Sequence, residues 1–231
     1  MKKILLIIPA IAAIHFTTFA QTNTLSKTEK KEGYTLLFDG QTTDGWHLYN
    51  GNDAGAWSAH DGILQLDTAK AEQGDLVTNK EYTNYELKLD WRIPFGGNSG
   101  VIFSVHEDTS LHATYLTGME MQILDDKNAE DNKKATHLAG ALYDMIAPLH
   151  PAKPAGEWNS IVIHKLNGHI TLWLNGQKVV EIQMGSPEWN ALIQKSKFKT
   201  WKQFAAYQTG HIALQDHGAS VAFRNIRIKQ L

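Results

Sequence analysis

Tyr85-Glu86-Leu87-Lys88-Leu89-Asp90-Trp91-Arg92-Ile93 alternates apolar and charged residues along its whole length. Side chains on a strand point to opposite faces with a period of two, so this stretch reads as a strand with one face in a core and the other in water. Further strand-like runs occupy 100–105, 119–124, 159–166, 169–174, 178–183, 211–215 and 220–229. Asn167-Gly168 and Asn175-Gly176 separate three of them. Asn-Gly pairs adopt the left-handed angles of a type I′ turn at low cost, which makes 159–166, 169–174 and 178–183 an antiparallel meander. One helix is expected, with Ser186 as N-cap, Pro187 at its first position, Glu188 at the positive end of its dipole, and Trp189, Leu192 and Ile193 at helical spacing. About a dozen short strands, one short helix and no strand–helix–strand alternation predict a single all-β sandwich of two antiparallel sheets.

The ends of the chain read differently. Lys2 and Lys3 precede an apolar run from Ile4 to Phe16, and Thr18-Phe19-Ala20 offers small residues where a signal peptidase reads. Residues 1–20 are therefore expected to be an export signal cleaved after Ala20, sending the chain to the periplasm or cell surface. The apolar run is too short for a comfortable membrane span. Residues 21–32 are polar, charged and aperiodic and read as a flexible leader; the folded domain is expected over 33–231.

Composition removes several partner classes. Without Lys2 and Lys3 the chain has 20 basic and 24 acidic residues, and the basic ones are scattered. Nucleic acid and anionic membranes are poor partners for such a surface. The absence of cysteine removes disulfides and thiolate metal sites. Seven tryptophans and seven tyrosines supply a large aromatic core, with rings to spare for stacking on the C–H faces of sugars.

Three polar segments interrupt the packing pattern. Gly96-Gly97-Asn98-Ser99-Gly100 lies between two strands, as a turn would. In Met119-Glu120-Met121-Gln122-Ile123, Glu120 and Gln122 share one face and the apolar residues the other, which suits a solvated face or a sugar-binding one. In Leu214-Gln215-Asp216-His217-Gly218, Gln215 and His217 share a face, and an imidazole there can serve as a base or as a satisfied loop histidine. The other histidines show no zinc spacing, although carboxylates and carbonyls can hold a hard cation.

These segments occur in order with Gly33-Tyr34-Thr35-Leu36-Leu37-Phe38-Asp39-Gly40, Gly45-Trp46, Gly156-Glu157-Trp158-Asn159, Trp173-Leu174-Asn175-Gly176 and Phe223-Arg224-Asn225-Ile226. The series, from Tyr34 to Leu231, resembles the 3-keto-disaccharide hydrolase family, long a domain of unknown function and abundant in gut Bacteroidetes. The resemblance implies a concanavalin A-like, LamG-like jelly roll and cleavage of carbohydrates already oxidised to a ketone at C3, by hydrolysis or by elimination and rehydration. Such a ketone acidifies the C2 proton, and the enolate left by its removal expels the aglycone from C1. This route does not need the fixed carboxylate pair of ordinary glycosidases. Each well-placed donor to the enolate oxygen contributes ~3–4 kcal/mol.

On that resemblance His217 is the base or, with Glu120, a ligand of a divalent ion that polarises the ketone; no cofactor is otherwise implied. Glu120 is the second acid–base group. Tyr143, in Gly140-Ala141-Leu142-Tyr143-Asp144, donates to the departing oxygen. Asn98, Gln122, Gln215 and Arg224 orient hydroxyls, with His137 on the same wall; Arg224 serves equally well as a brace for the last strand. Trp158 and Trp173 are expected in the core. A non-catalytic lectin-like module and an adhesion domain share this fold pattern, and fold alone does not separate them. The oligomeric state is not legible.

Overall fold

The computed structural model describes residues 22–231, so the expected export signal lies outside the described residues. Along the described chain the strands are β1 (Thr35–Leu36), β2 (Trp46–Leu48), β3 (Trp57–His60), β4 (Ile63–Leu66), β5 (Leu76–Thr78), β6 (Tyr85–Arg92), β7 (Asn98–Val105), β8 (Met119–Leu124), β9 (Asn159–Leu166), β10 (His169–Leu174), β11 (Gln177–Gln183), β12 (His211–Leu214) and β13 (Ala222–Gln230). They make two antiparallel sheets, as a jelly roll requires. The larger runs β11-β10-β9-β6-β13-β4-β3, with β1 also paired to β13; the smaller runs β2-β5-β12-β7-β8. No helix of the described residues is long and apolar enough to cross a membrane.

The alternating stretch behaves as its pattern demands. β6 lies between β9 and β13, with Tyr85, Leu87, Leu89 and Trp91 buried and Glu86, Lys88, Asp90 and Arg92 half-buried on the outer face. Asn167 and Asn175 each sit at φ +51°, the left-handed geometry that closes the meander β9-β10-β11. Between the sheets Phe38, Trp57, Trp91, Phe103, Met121 and Phe223 belong to one continuous core.

Three expectations need correction. Residues 22–32 are not an unstructured leader: Lys27–Glu32 forms helix α1, closed by a capping box between Ser26 and Glu29 and by Gly33 in the left-handed region. Asn23, 6% exposed, latches this segment to the larger sheet. Its N–H donates to Asn225 Oδ1 (2.7 Å), its Oδ1 accepts from the Asn225 N–H (2.8 Å), and its amide donates to the Gly62 carbonyl (2.8 Å). Polar caps and latches leave no hydrophobic period, which is why the segment reads as a leader. Helix α2 (Pro187–Lys195) is thus the second helix, capped by Ser186 as its sequence predicts. Trp158 and Trp173 are half-buried rather than core: the Trp158 ring lies beneath the guanidinium groups of Arg92 and Arg224.

The smaller sheet departs from simple alternation. Every residue of β8, and every residue of β7 except Asn98, is buried, so both faces are covered. One face meets the core; on the other, Tyr115, Asp131, Tyr143, Lys197 and Trp201 line a cavity together with Glu120 and Gln122. Leu89→Ala should lower stability by about 2–5 kcal/mol, read as a fall in the urea midpoint with an unchanged m-value.

Candidate active site

The site grows from the covered outer face of the smaller sheet. Antiparallel pairing sets Gly100 opposite Gln122 and Ile102 opposite Glu120, so these four share that face. Gly100 also accepts from the Gln215 N–H at 2.9 Å, which brings β12 to its other side. A Cβ on Gly100 would stand 2.2 Å from Glu120 Oε1. The missing side chain is therefore what lets the Glu120 carboxyl lie flat on the sheet. Gly97 has a different reason to lack one, since its Cβ would meet Ile93 Cγ1 at 2.4 Å. In the amide orientation that satisfies its neighbours, Gln122 donates to Glu120 Oε1 at 2.8 Å and to the Ser99 carbonyl at 3.2 Å. Beyond Ile102 the same face turns apolar, with Val77, Val105 and Ala213.

One wall is an irregular extension of β8. The Gly140 N–H donates to the Gln122 carbonyl (2.8 Å) and the Tyr143 N–H to the Glu120 carbonyl (3.0 Å), placing Tyr143 beside the carboxyl. The Tyr143 hydroxyl donates to Asp131 Oδ2 at 2.8 Å. Behind it, His137 packs 4.4 Å from the Tyr143 ring, with Nδ1 2.7 Å from Asp131 Oδ1 and Nε2 2.9 Å from Asp144 Oδ1. Asp144, at φ +53°, also takes the Lys197 N–H on Oδ2 at 2.7 Å.

The opposite wall is tied to a half-buried acid. Asp75 Oδ1 accepts from the Asp216 N–H at 2.8 Å, and Asp216 Oδ2 accepts from the Gly74 N–H at 2.9 Å. This reciprocal pair turns Asp216 inward to the backbone and leaves Gln215 and His217 facing the cavity, as their shared parity predicts. Thr114 Oγ1 donates to the other Asp75 oxygen and fixes the segment bearing Tyr115.

Two connected chambers result. The inner one, about 340 Å³, is lined by Asn98, Tyr115, Glu120, Gln122, Asp131, Tyr143, Lys197, Trp201, Gln215 and His217. The outer one, about 550 Å³, shares Asn98, Asp131, Tyr143 and His217 and adds Gly96, Glu130, Gly218 and Ala219. Gln215 is 6% exposed and its Oε1 has no protein partner, which leaves an acceptor ready for a ligand donor.

Six expected site residues, Asn98, Glu120, Gln122, Tyr143, Gln215 and His217, thus converge on one cavity. Two do not reach it. Arg224 lies on the outer face of the larger sheet, where it pairs with Asp90 at 3.3 Å and covers Trp158 at 4.0 Å, the bracing role. His137 is behind Tyr143, tied to Asp131 and Asp144, and touches no chamber. Sequence reasoning missed Lys197, Asp131, Tyr115 and Trp201. Each sits outside the strands and α-helices, where charge reads as solvation and rings as packing. Among the described residues no group of three or more His, Asp or Glu side chains is placed to hold a metal ion.

Electrostatics separates the ionisable groups. Burial raises Glu120 to about 8, against the pull of the Lys197 charge and with the help of Asp75 and Asp131. Burial raises Asp75 to about 6 despite its bonds from Thr114 and Asp216. Burial and the Asp131 carboxylate hold the Tyr143 phenol above its usual range. Among the described residues the His217 ring has no hydrogen bond or ion pair to protein.

Comparisons with known proteins agree on one family. Residues 33–229 match the model of the 3-keto-alpha-glucoside-1,2-lyase-like domain. A 3-keto-disaccharide hydrolase of Bacteroides thetaiotaomicron is 33% identical over 92% of this chain and 83% of its own length. The crystal structure of a candidate glycosyl hydrolase from Parabacteroides distasonis is 35% identical, covers 91% of this chain and all of its own, and superposes with a TM-score of 0.86. A Bacillus subtilis carbohydrate-binding module, 12% identical over 82% of this chain and 97% of its own with a TM-score of 0.51, shares the fold alone.

The raised Glu120 pKa has a sign that can be checked. Because the folded value, about 8, lies above the unfolded 4.5, the stability linked to this proton is complete at acid pH and lost as pH rises through 8. Between pH 6 and pH 9 the melting temperature should therefore fall further in the wild type than in Glu120→Gln, by an amount equivalent to a few kcal/mol. Parallel curves would contradict the burial of this carboxyl.

Proposed function

The chain belongs to the 3-keto-alpha-glucoside-1,2-lyase-like family, and from that premise we propose that it cleaves 3-keto-disaccharides by removing the C2 proton, eliminating the aglycone and adding water. The observation that carries this reading is that one cavity is lined both by Glu120, a carboxyl kept protonated by burial, and by His217, an imidazole with no hydrogen bond to protein. The cavity is of the size usual for small-molecule sites.

Each step balances. The neutral His217 imidazole takes the proton from C2, and the C–H electrons form the C2–C3 double bond of an enolate with its charge on the C3 oxygen. The enolate re-forms the ketone as the C1–oxygen bond breaks, and protonated Glu120 supplies the proton that the departing oxygen needs. Hydration reverses the order: Glu120, now ionised, takes a proton from water as its oxygen joins C1, and the His217 imidazolium returns a proton to C2. Both groups end as they began. The word lyase in the family description then fits the first half of the sequence, and the word hydrolase in the relative's name fits its sum.

The remaining residues position the ring. Asn98, Gln122 and Gln215 offer amides to hydroxyls from the floor. Tyr143 is a weaker candidate for the acid than Glu120, because its proton points to Asp131 and its affinity for that proton is raised. It stands where the chambers meet, a place suited to gripping the bridging oxygen. A binding-only module has no use for a carboxyl kept protonated to about 8 on its floor. The pattern of residues 1–20 supports action outside the cytoplasm, in the periplasm or at the cell surface.

Glu120→Gln and His217→Ala should each lower kcat on a 3-keto-glucoside at least ~100-fold with unchanged circular dichroism, and product formed in heavy water should carry deuterium at C2. Near-wild-type turnover in both variants would sink the assignment. Gly100→Ala should fold yet lose roughly 100-fold in kcat, because its methyl group displaces the acid.

A further inference from the structure

Proton removal next to a ketone places a full negative charge on the C3 oxygen, and the roles given to Glu120 and His217 leave that charge unmet. We propose that the Lys197 ammonium binds it, an inference that rests on the elimination reading above. Among the described residues lining either chamber, Lys197 is the only lysine or arginine. Its Nζ stands 4.3 Å from the centroid of the Tyr143 ring and 5.4 Å from those of Phe198 and Trp201. Ring faces attract a cation through their quadrupoles without neutralising it, so the N–H donors stay available to a ligand oxygen. The titratable groups that face it are Glu120, Asp144, Asp131 and Lys134, and none of the three carboxyl groups forms an ion pair with it. Lys134 is instead drawn to Asp144, 3.2 Å away.

The backbone that carries this ammonium is fixed. The Lys197 N–H bonds to Asp144 Oδ2, on the wall that bears Tyr143, and Asp144 holds its left-handed backbone geometry while its side chain is 7% exposed. Partial desolvation lowers the proton affinity of the Lys197 ammonium, although Glu120, Asp144 and Asp131 oppose this.

The test compares methyl and 4-nitrophenyl 3-keto-α-glucosides in heavy water. Lys197→Met should slow both turnover and deuterium entry at C2 by about 100- to 1,000-fold, by the same factor for the two aglycones. Lys197→Arg, which keeps the charge, should retain about a tenth of the rate or more. Glu120→Gln, which removes the acid for the departing oxygen, should harm the methyl glycoside more than the nitrophenyl one. Wild-type C2 labelling by Lys197→Met, or a loss confined to the poor leaving group, overturns the oxyanion role and leaves elimination standing. No deuterium at C2 with the wild-type enzyme overturns elimination itself. Should Lys197→Met fail to fold, Lys197→Gln and Lys197→Arg decide the matter, and equal rates in those two count against the proposal.

Discussion

A carboxyl group removed from water and laid over a glycine is the constraint around which this molecule is organised. A buried carboxyl disfavours its own ionisation, and the sheet beneath Glu120 provides no cation in ion-pair contact. It is tolerated because the Gln122 amide meets one oxygen and the absent side chain of Gly100 leaves it room. The double burial of β7 and β8 goes with this arrangement, since the chain that shields Glu120 from bulk water also covers the strands around it.

That covering chain lies outside the strands and α-helices, so backbone–side-chain bonds hold it rather than a strand ladder. Asp75 and Asp216 exchange bonds with each other's backbone segments across the β5 and β12 ends. Asp144 gathers His137, Lys134 and the Lys197 N–H. Its left-handed backbone costs of order 1 kcal/mol or more, and the bonds it collects offset that. The acidic groups of the site therefore divide into those that meet the cavity, Glu120, Glu130 and Asp131, and those that hold its walls, Asp75, Asp144 and Asp216.

Much of this was legible in the sequence wherever a period existed to be read. β6, β8, β9 and β10 follow from alternation and from the two Asn-Gly turns, and the Glu120/Gln122 and Gln215/His217 pairs follow from parity on a strand. What escaped lies where parity has no meaning. Lys197 begins a short 3-10 turn after α2 and looks like a solvated charge until the chain folds it over three rings. Arg224 illustrates the reverse failure: it lies within a recognisable motif, yet β13 belongs to the other sheet, and strand order in space cannot be read from one chain's pattern. Asn23 and α1 were hidden because their stabilisation is polar and local.

The two chambers differ in wall and in exposure, and they meet only at Asn98, Asp131, Tyr143 and His217. On the elimination and hydration proposed above, a keto ring in the inner chamber sets its aglycone in the outer one, lined by exposed Gly96, Glu130 and Gly218. The space which that fragment vacates is then the water's path to C1, and attack from the face the leaving group quitted gives, under that proposal, a sugar of retained anomeric configuration.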